Sequence, residues 1–252
     1  MPRRVLRERH LSKLSLMAVT AQAMRASLRA LGNKDIAAHS AGFFKIGVGE
    51  YGEGDRFLGI RIPVIRRHVR IFRNAPQRAV LAMLRSPYHE ERLFAVLLLV
   101  DQFQRGSDDD KSRIYDLYMT HREYVNNWDI VDSSAHKIIG PWLQNRNREV
   151  LYELVGSASL WDRRIATMTT FHFIRQRDFE DTLRIAALLR EDDHDLIHKA
   201  VGWMLREVGN RDREAEERFL GEHYKKMPRT MLRYAIEKFP ESRRKAYLDG
   251  TL

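Results

Sequence analysis

Trp128 and Asp132 stand four residues apart in the run Asn126-Asn127-Trp128-Asp129-Ile130-Val131-Asp132-Ser133. On an α-helix that spacing places both side chains on one face. An indole face attracts a cation, and a carboxylate beside it stabilises a second, developing positive charge. The pair is therefore suited to chemistry on a cationic group. Asp129 points around the first turn, where a carboxylate complements the helix dipole. Taken alone, the same spacing also describes a half-buried core tryptophan next to a solvated aspartate, so the rest of the chain has to decide.

The chain of 252 residues carries 44 Lys and Arg against 34 Asp and Glu, a formal net charge of +10. Such an excess predicts an anionic partner, and nucleic acid is favoured over membrane. No apolar run approaches the roughly 20 residues of a membrane span, and the segment Pro2 to Arg9 lacks the apolar core of a secretory signal. Cytoplasmic residence is the expectation. The absence of cysteine excludes disulfides, thiolate-bound zinc or iron–sulfur clusters and cysteine nucleophiles. Oxygen, imidazole and charge are what remain.

Apolar residues recur at helical spacing almost throughout, without sustained strand-like alternation, which predicts an all-α protein. One long helix is expected over Leu11 to Leu31, ended near Gly32-Asn33, and a second over Asp35 to Lys45. A glycine-rich connection, Gly47 to Asp55, follows. Glu50, Glu53 and Asp55 would repel phosphate and no Gly-Lys-Ser/Thr follows, so an ordered helix–helix loop is preferred to a phosphate cradle. Pro63 suits the first turn of the next helix. The expected organisation is one domain over 1–252, with N-terminal helices and the glycine loop over 1–85 and helical repeats over 86–252.

The repeats are weak but have a register. Segments around Arg92, Arg164, Lys199 and Arg233 each put a basic residue next to an apolar helical run, and the last three lie 35 and 34 residues apart. That period fits stacked helix pairs of the HEAT type. Equivalent slots of a solenoid share a surface, so these cations are expected to line a concave groove for a polyanion. Asp132 lies 32 residues before Arg164 and occupies the same slot. A carboxylate facing phosphates needs a compensating role: catalysis on a cation, or an ion pair with a neighbouring arginine.

Asn127-Trp128-Asp129-Ile130-Val131-Asp132-Ser133, Leu160-Trp161-Asp162-Arg163-Arg164-Ile165-Ala166, Lys199-Ala200-Val201-Gly202-Trp203-Met204-Leu205-Arg206-Glu207 and Phe57-Leu58-Gly59-Ile60-Arg61-Ile62-Pro63 together resemble the AlkD-type DNA alkylation repair glycosylases. The similarity runs in order over nearly the whole chain. It implies a curved solenoid of HEAT-like repeats, with Asp132 as the catalytic carboxylate, Trp128 and Trp203 as the tryptophans that embrace the lesion nucleotide, and Arg164 as the active-site arginine beside the backbone. Phe43 falls where the family usually has Tyr, and the Gly47 to Asp55 loop looks like an insertion. Phe43 is assigned to substrate, and Lys45, Arg92, Arg163, Lys199 and Arg233 to DNA.

The implied reaction hydrolyses the N-glycosidic bond of a cationic alkylated purine in duplex DNA, with no cofactor and no metal. The substrate is double-stranded DNA containing alkylated bases, and a monomer without an obligate protein partner is expected. An N3-alkyladenine or N7-alkylguanine leaves as a neutral base, so no general acid is required. Lys137 is five residues from Asp132 and rotated away, so a Schiff-base step is not expected. His194 and His198 have metal-ligand spacing but no third ligand. Trp142 and Trp161 follow apolar periodicity and are expected to pack. The alternatives from other classes are a catalytically silent, structure-specific DNA-binding protein and a protein-interaction scaffold.

Overall fold

The structure is a computed structural model and describes residues 19–252. Its regular elements are α1 (Ala21–Arg29), α2 (Lys34–Phe43), α3 (Ile62–Phe72), α4 (Gln77–Leu84), α5 (His89–Arg105), α6 (Asp108–Thr120), α7 (Trp128–Leu143), α8 (Glu149–Val155), α9 (Leu160–Arg175), α10 (Glu180–Leu188), α11 (Asp195–Gly209), α12 (Arg213–His223), α13 (Arg229–Ala235) and α14 (Glu241–Asp249), joined in places by single 3-10 turns. The protein is all-α: no strand occurs among the described residues. No helix among them is long and apolar enough to cross a membrane. The chain falls into two compact units, one ending at Gly106 and the other spanning Ser107–Leu252.

In the first unit α3 and α4 pack on α5, and α1 packs on α4. The first turn of α5, His89-Glu90-Glu91-Arg92, is buried and ties this unit together through polar contacts. Glu90 accepts the backbone N–H groups of Leu58, Gly59 and Ile60 at 2.8, 2.7 and 3.2 Å. Glu91 accepts from Arg29 at 2.8 Å and from the Ser86 hydroxyl at 2.6 Å. Arg92 donates to Asp55 and, at 3.1 Å, to the Ser86 carbonyl.

These contacts order the glycine-rich connection. Within it the Gly47 N–H is held by Glu50 at 2.9 Å and the Gly49 N–H by Glu53 at 2.8 Å. The acids that argue against a phosphate cradle are the loop's own acceptors. The helix expected over Leu11 to Leu31 is corrected: Thr20 is extended and its hydroxyl accepts from Ala23 N at 3.2 Å. A helix therefore starts at Ala21, and the earlier part of that expectation lies outside the described residues. The second helix stops at Phe43 rather than Lys45, because Lys45 adopts φ 52 and cannot continue it.

The second unit is built in two rows. Helices α7, α9, α11 and α13 pack each on the next, while α8, α10 and α12 pack alongside α9 and α11. Close approach along the first row relies on glycine at two places. A Cβ on Gly140 of α7 would lie 2.3 Å from the Cβ of His172 on α9, and one on Gly202 of α11 would lie 2.4 Å from the Met231 carbonyl on α13. Substitution at either would push the helices apart.

Glu216 on α12 is 1 % exposed and packs its carboxyl against Gly209 in the last turn of α11, where a Cβ would stand. Burial outweighs Arg213 and Arg206 and pushes that carboxyl up to about 8. A folded-state value above the unfolded one favours the folded state while the proton is retained. This contribution is complete below the unfolded value of 4.5 and is lost as pH rises through about 8. Glu216→Gln should flatten the decline in Tm between pH 5 and 8.5, measured by circular dichroism. An unchanged profile would show that Glu216 is ionised in the native protein.

Candidate active site

Four helix starts align the candidate side chains, three of them set by side-chain caps. Asn127 is fully buried and extended, and its side chain accepts the Trp128 N–H at 2.8 Å, so α7 begins at Trp128. Ser159 caps α9 through Asp162 N, and His194 caps α11 through Leu196 N. Counting from the first residues 128, 160, 195 and 229, Asp132, Arg164, Lys199 and Arg233 each stand four residues in. Because α7, α9, α11 and α13 pack in succession, equivalent slots are neighbours.

The neighbours Asp132 and Arg164 meet directly. Arg164 Nε donates to Asp132 Oδ1 at 2.9 Å and its Nη2 to Oδ2 at 2.8 Å, a bidentate pair. Nη1 donates to the Leu196 carbonyl in the first turn of α11 at 2.5 Å. One guanidinium thus fixes α7, α9 and α11 at the same level. The side chains of Arg164 and Asp132 are 5 % and 16 % exposed, so the carboxylate keeps the more open edge. Burial pushes the Asp132 carboxyl above the ordinary aspartate value; Arg164 draws it back and Asp129, a like charge three residues away, adds to the rise.

Several expectations change here. Arg164 is buried and all three of its nitrogens are engaged within the protein, so it holds the carboxylate rather than a phosphate. Arg92 is 3 % exposed and joins Asp55 to the Ser86 carbonyl; it is a structural tie, not a groove cation. Arg163 is likewise consumed, by Asp192 at 2.6 Å and the carbonyls of Ser157 and Ala158 at 3.0 Å each. Asp129, in the first turn of α7, is buried. Arg233 is exposed, and Lys199 is half-exposed, paired with Asp195 at 2.5 Å one turn before it. In the first unit Phe43 is 58 % exposed and stands edge-on to Phe44, and Lys45 is exposed.

The same helix faces carry residues that sequence reasoning passed over. His136 continues the Trp128–Asp132 row by another turn, and Phe171 lies two turns beyond Arg164. Their rings are 5.3 Å apart, and Phe171 lies 6.2 Å from Trp203 on α11. Burial, followed by the charges of Lys137, Arg175 and His172, lowers His136 to about 4, so its imidazole is neutral at physiological pH. The signal was present in the i, i+4 spacing from Asp132. It is a common spacing in any helical protein.

Other candidates settle into packing. Trp142 stacks on Tyr115 at 5.5 Å and also carries the Arg146 guanidinium over its ring. His194 Nδ1 caps its own helix at 3.1 Å, and His198 bonds the Asp192 carbonyl. Among the described residues no group of three or more His, Asp or Glu could hold a metal ion.

A largely buried carboxylate locked to an arginine thus lies on a helix face shared with a tryptophan, in a chain of basic net charge. The model of the DNA alkylation repair enzyme family matches residues 24–239, and the chain belongs to that family. Among solved structures it is similar to a "Predicted DNA alkylation repair enzyme from Enterococcus faecalis", with a TM-score of 0.63, 18 % identity, and coverage of 83 % of this chain and 97 % of that one. At that identity the likeness speaks for the fold. No curated protein matches.

Proposed function

We propose that this protein is a monofunctional DNA glycosylase that hydrolyses the N-glycosidic bond of cationic alkylated purines, N3-alkyladenine and N7-alkylguanine, in duplex DNA. The observation that carries the reading is the Asp132 carboxylate, held in place by Arg164 and sharing a helix face with Trp128. When the bond from C1′ to the base breaks, its electron pair goes to the cationic base, which leaves neutral. Positive charge moves to the sugar. Asp132 stabilises that oxocarbenium-like centre and orients the water that adds to C1′, whose proton passes to the carboxylate or to solvent. Trp128 and Trp203 favour the cationic nucleotide by cation–π contact. The product is an abasic strand with its backbone intact.

The same face carries a second reading. With Asp132 neutralised by Arg164, the surface could serve a catalytically silent DNA-binding protein. Incubation with duplex containing N7-methylguanine, followed by assay of the released base, separates the two. Release that exceeds spontaneous depurination supports the glycosylase. Wild-type protein that binds the duplex without releasing base sinks it.

Lys199 and Arg233, at equivalent slots of α11 and α13, and Lys45 in the first unit are assigned to phosphates, and Phe43 to the substrate. Lys199→Ala and Arg233→Ala should each weaken duplex binding and lower the slope of log affinity against log salt by about one. Arg163→Ala and Arg92→Ala should leave that slope unchanged, because both guanidinium groups are consumed internally. Equal slopes for all four variants would remove the phosphate assignment.

A further inference from the structure

Trp203 sits in a closed circuit of side chains. Its indole Nε1 donates to Glu207 Oε1 at 3.4 Å, one helical turn on. The other oxygen of Glu207 accepts from Arg211 Nη1 at 2.8 Å, and the same nitrogen donates to the Glu207 carbonyl at 2.8 Å. The Arg211 guanidinium lies 5.9 Å from the Phe171 ring centre. Phe171 returns to Trp203 at 6.2 Å. The indole is thus held at its polar edge by a carboxylate and bordered by a second aromatic ring.

Stability alone is a weak reason for this arrangement. Glu207 and Arg211 form an i, i+4 pair with side chains 17 % and 27 % exposed, and pairs of that kind contribute little to folding. Its larger effect falls on the indole. A half-exposed tryptophan on a helix has several rotamers, and ordering one of them at the moment of binding costs entropy. A carboxylate on the indole N–H removes that cost beforehand. It also draws the N–H proton outward and enriches the ring, which strengthens attraction to a cation on its face.

We infer that Glu207, fixed by Arg211, is a positioning residue that sets and holds the Trp203 indole for a cationic base. The inference rests on the proposed contact between Trp203 and the lesion. Because Glu207 acts through Trp203, its effect must vanish when Trp203 is absent, which a double-mutant cycle reads directly.

On N7-methylguanine duplex, Glu207→Ala should lower kcat/KM by about 5-fold, mostly through KM, and by less than about 2-fold in a Trp203→Phe background. Glu207→Gln keeps an acceptor for the indole N–H and should recover most of the loss. A second readout does not depend on excision. The chain has 4 tryptophans, and the difference between wild-type and Trp203→Phe emission spectra isolates Trp203. In Glu207→Ala that emission should become more readily quenched by acrylamide. Additive losses in the cycle, or unchanged quenching of Trp203, would overturn the inference. Absence of base release by the wild type would instead defeat the glycosylase reading, and the quenching would still decide whether Glu207 holds the ring.

Discussion

Asp132→Asn is expected to lower single-turnover release of N7-methylguanine by roughly 10²-fold or more while leaving duplex affinity equal or higher. The substitution keeps the side chain's size and one acceptor for Arg164, and removes the charge that in the proposed mechanism faces the sugar as positive charge develops there. Affinity does not fall, because a carboxylate near phosphates has been neutralised. The introduced amide turns an N–H toward the guanidinium where an acceptor was lost, so Tm is measured alongside, and retained DNA binding shows that the fold persists. Asp129→Asn is the informative companion. Its carboxylate raises the Asp132 value, so its removal should move the acid limb of the rate profile to lower pH with little change on the plateau. Near wild-type excision by Asp132→Asn would falsify the assignment.

Spacings of 32, 35 and 34 residues were sufficient to place Asp132, Arg164, Lys199 and Arg233 at one level of stacked helices, since a helix start and a repeat length are both local properties of the chain. The direction of each side chain was less legible. Arg163 and Arg164 are adjacent and chemically identical, yet one turns to Asp192 and the other to Asp132. That choice depends on how closely α7 approaches α9, which Gly140 permits, and on which carboxylate the neighbouring repeat supplies. Arg92 shows the same limit in a different form. Its slot resembles the others, but Asp55 arrives from a glycine-rich connection 37 residues away and consumes it. The helix start after Thr20 was hidden because threonine is acceptable within a helix until its hydroxyl finds the N–H three residues on. Glu207 and Phe171 were readable as positions on a face, but nothing in their spacing distinguished them from ordinary surface and core residues.

The largest effect of all is expected at Arg164, because a single guanidinium holds the carboxylate and joins three helices. Arg164→Ala leaves Asp132 buried without a counterion and the Leu196 carbonyl without its donor, and breaking a buried pair from one side costs about 3–5 kcal/mol. Asp132 answers by keeping its proton. Burial already places its carboxyl above the ordinary value and Arg164 is the group that opposes the rise, so removing Arg164 moves the value higher still. The proposed mechanism needs the ionised form, and the sign follows. The acid limb of the single-turnover rate shifts to higher pH in the variant, excision at neutral pH falls, and part of it returns as the pH is raised. Stability moves oppositely: the protonated carboxyl favours the folded state at low pH, and this contribution disappears as pH rises through the folded-state value. Arg164→Lys retains the charge but not the paired N–H geometry, and should restore more of the Tm than of the rate. The measurements are Tm by circular dichroism and a rate profile from pH 5 to 9. A rate profile parallel to the wild type in Arg164→Ala, with only DNA affinity reduced, would return Arg164 to the backbone-contacting role that the family resemblance implies and leave Asp132 ionised without help.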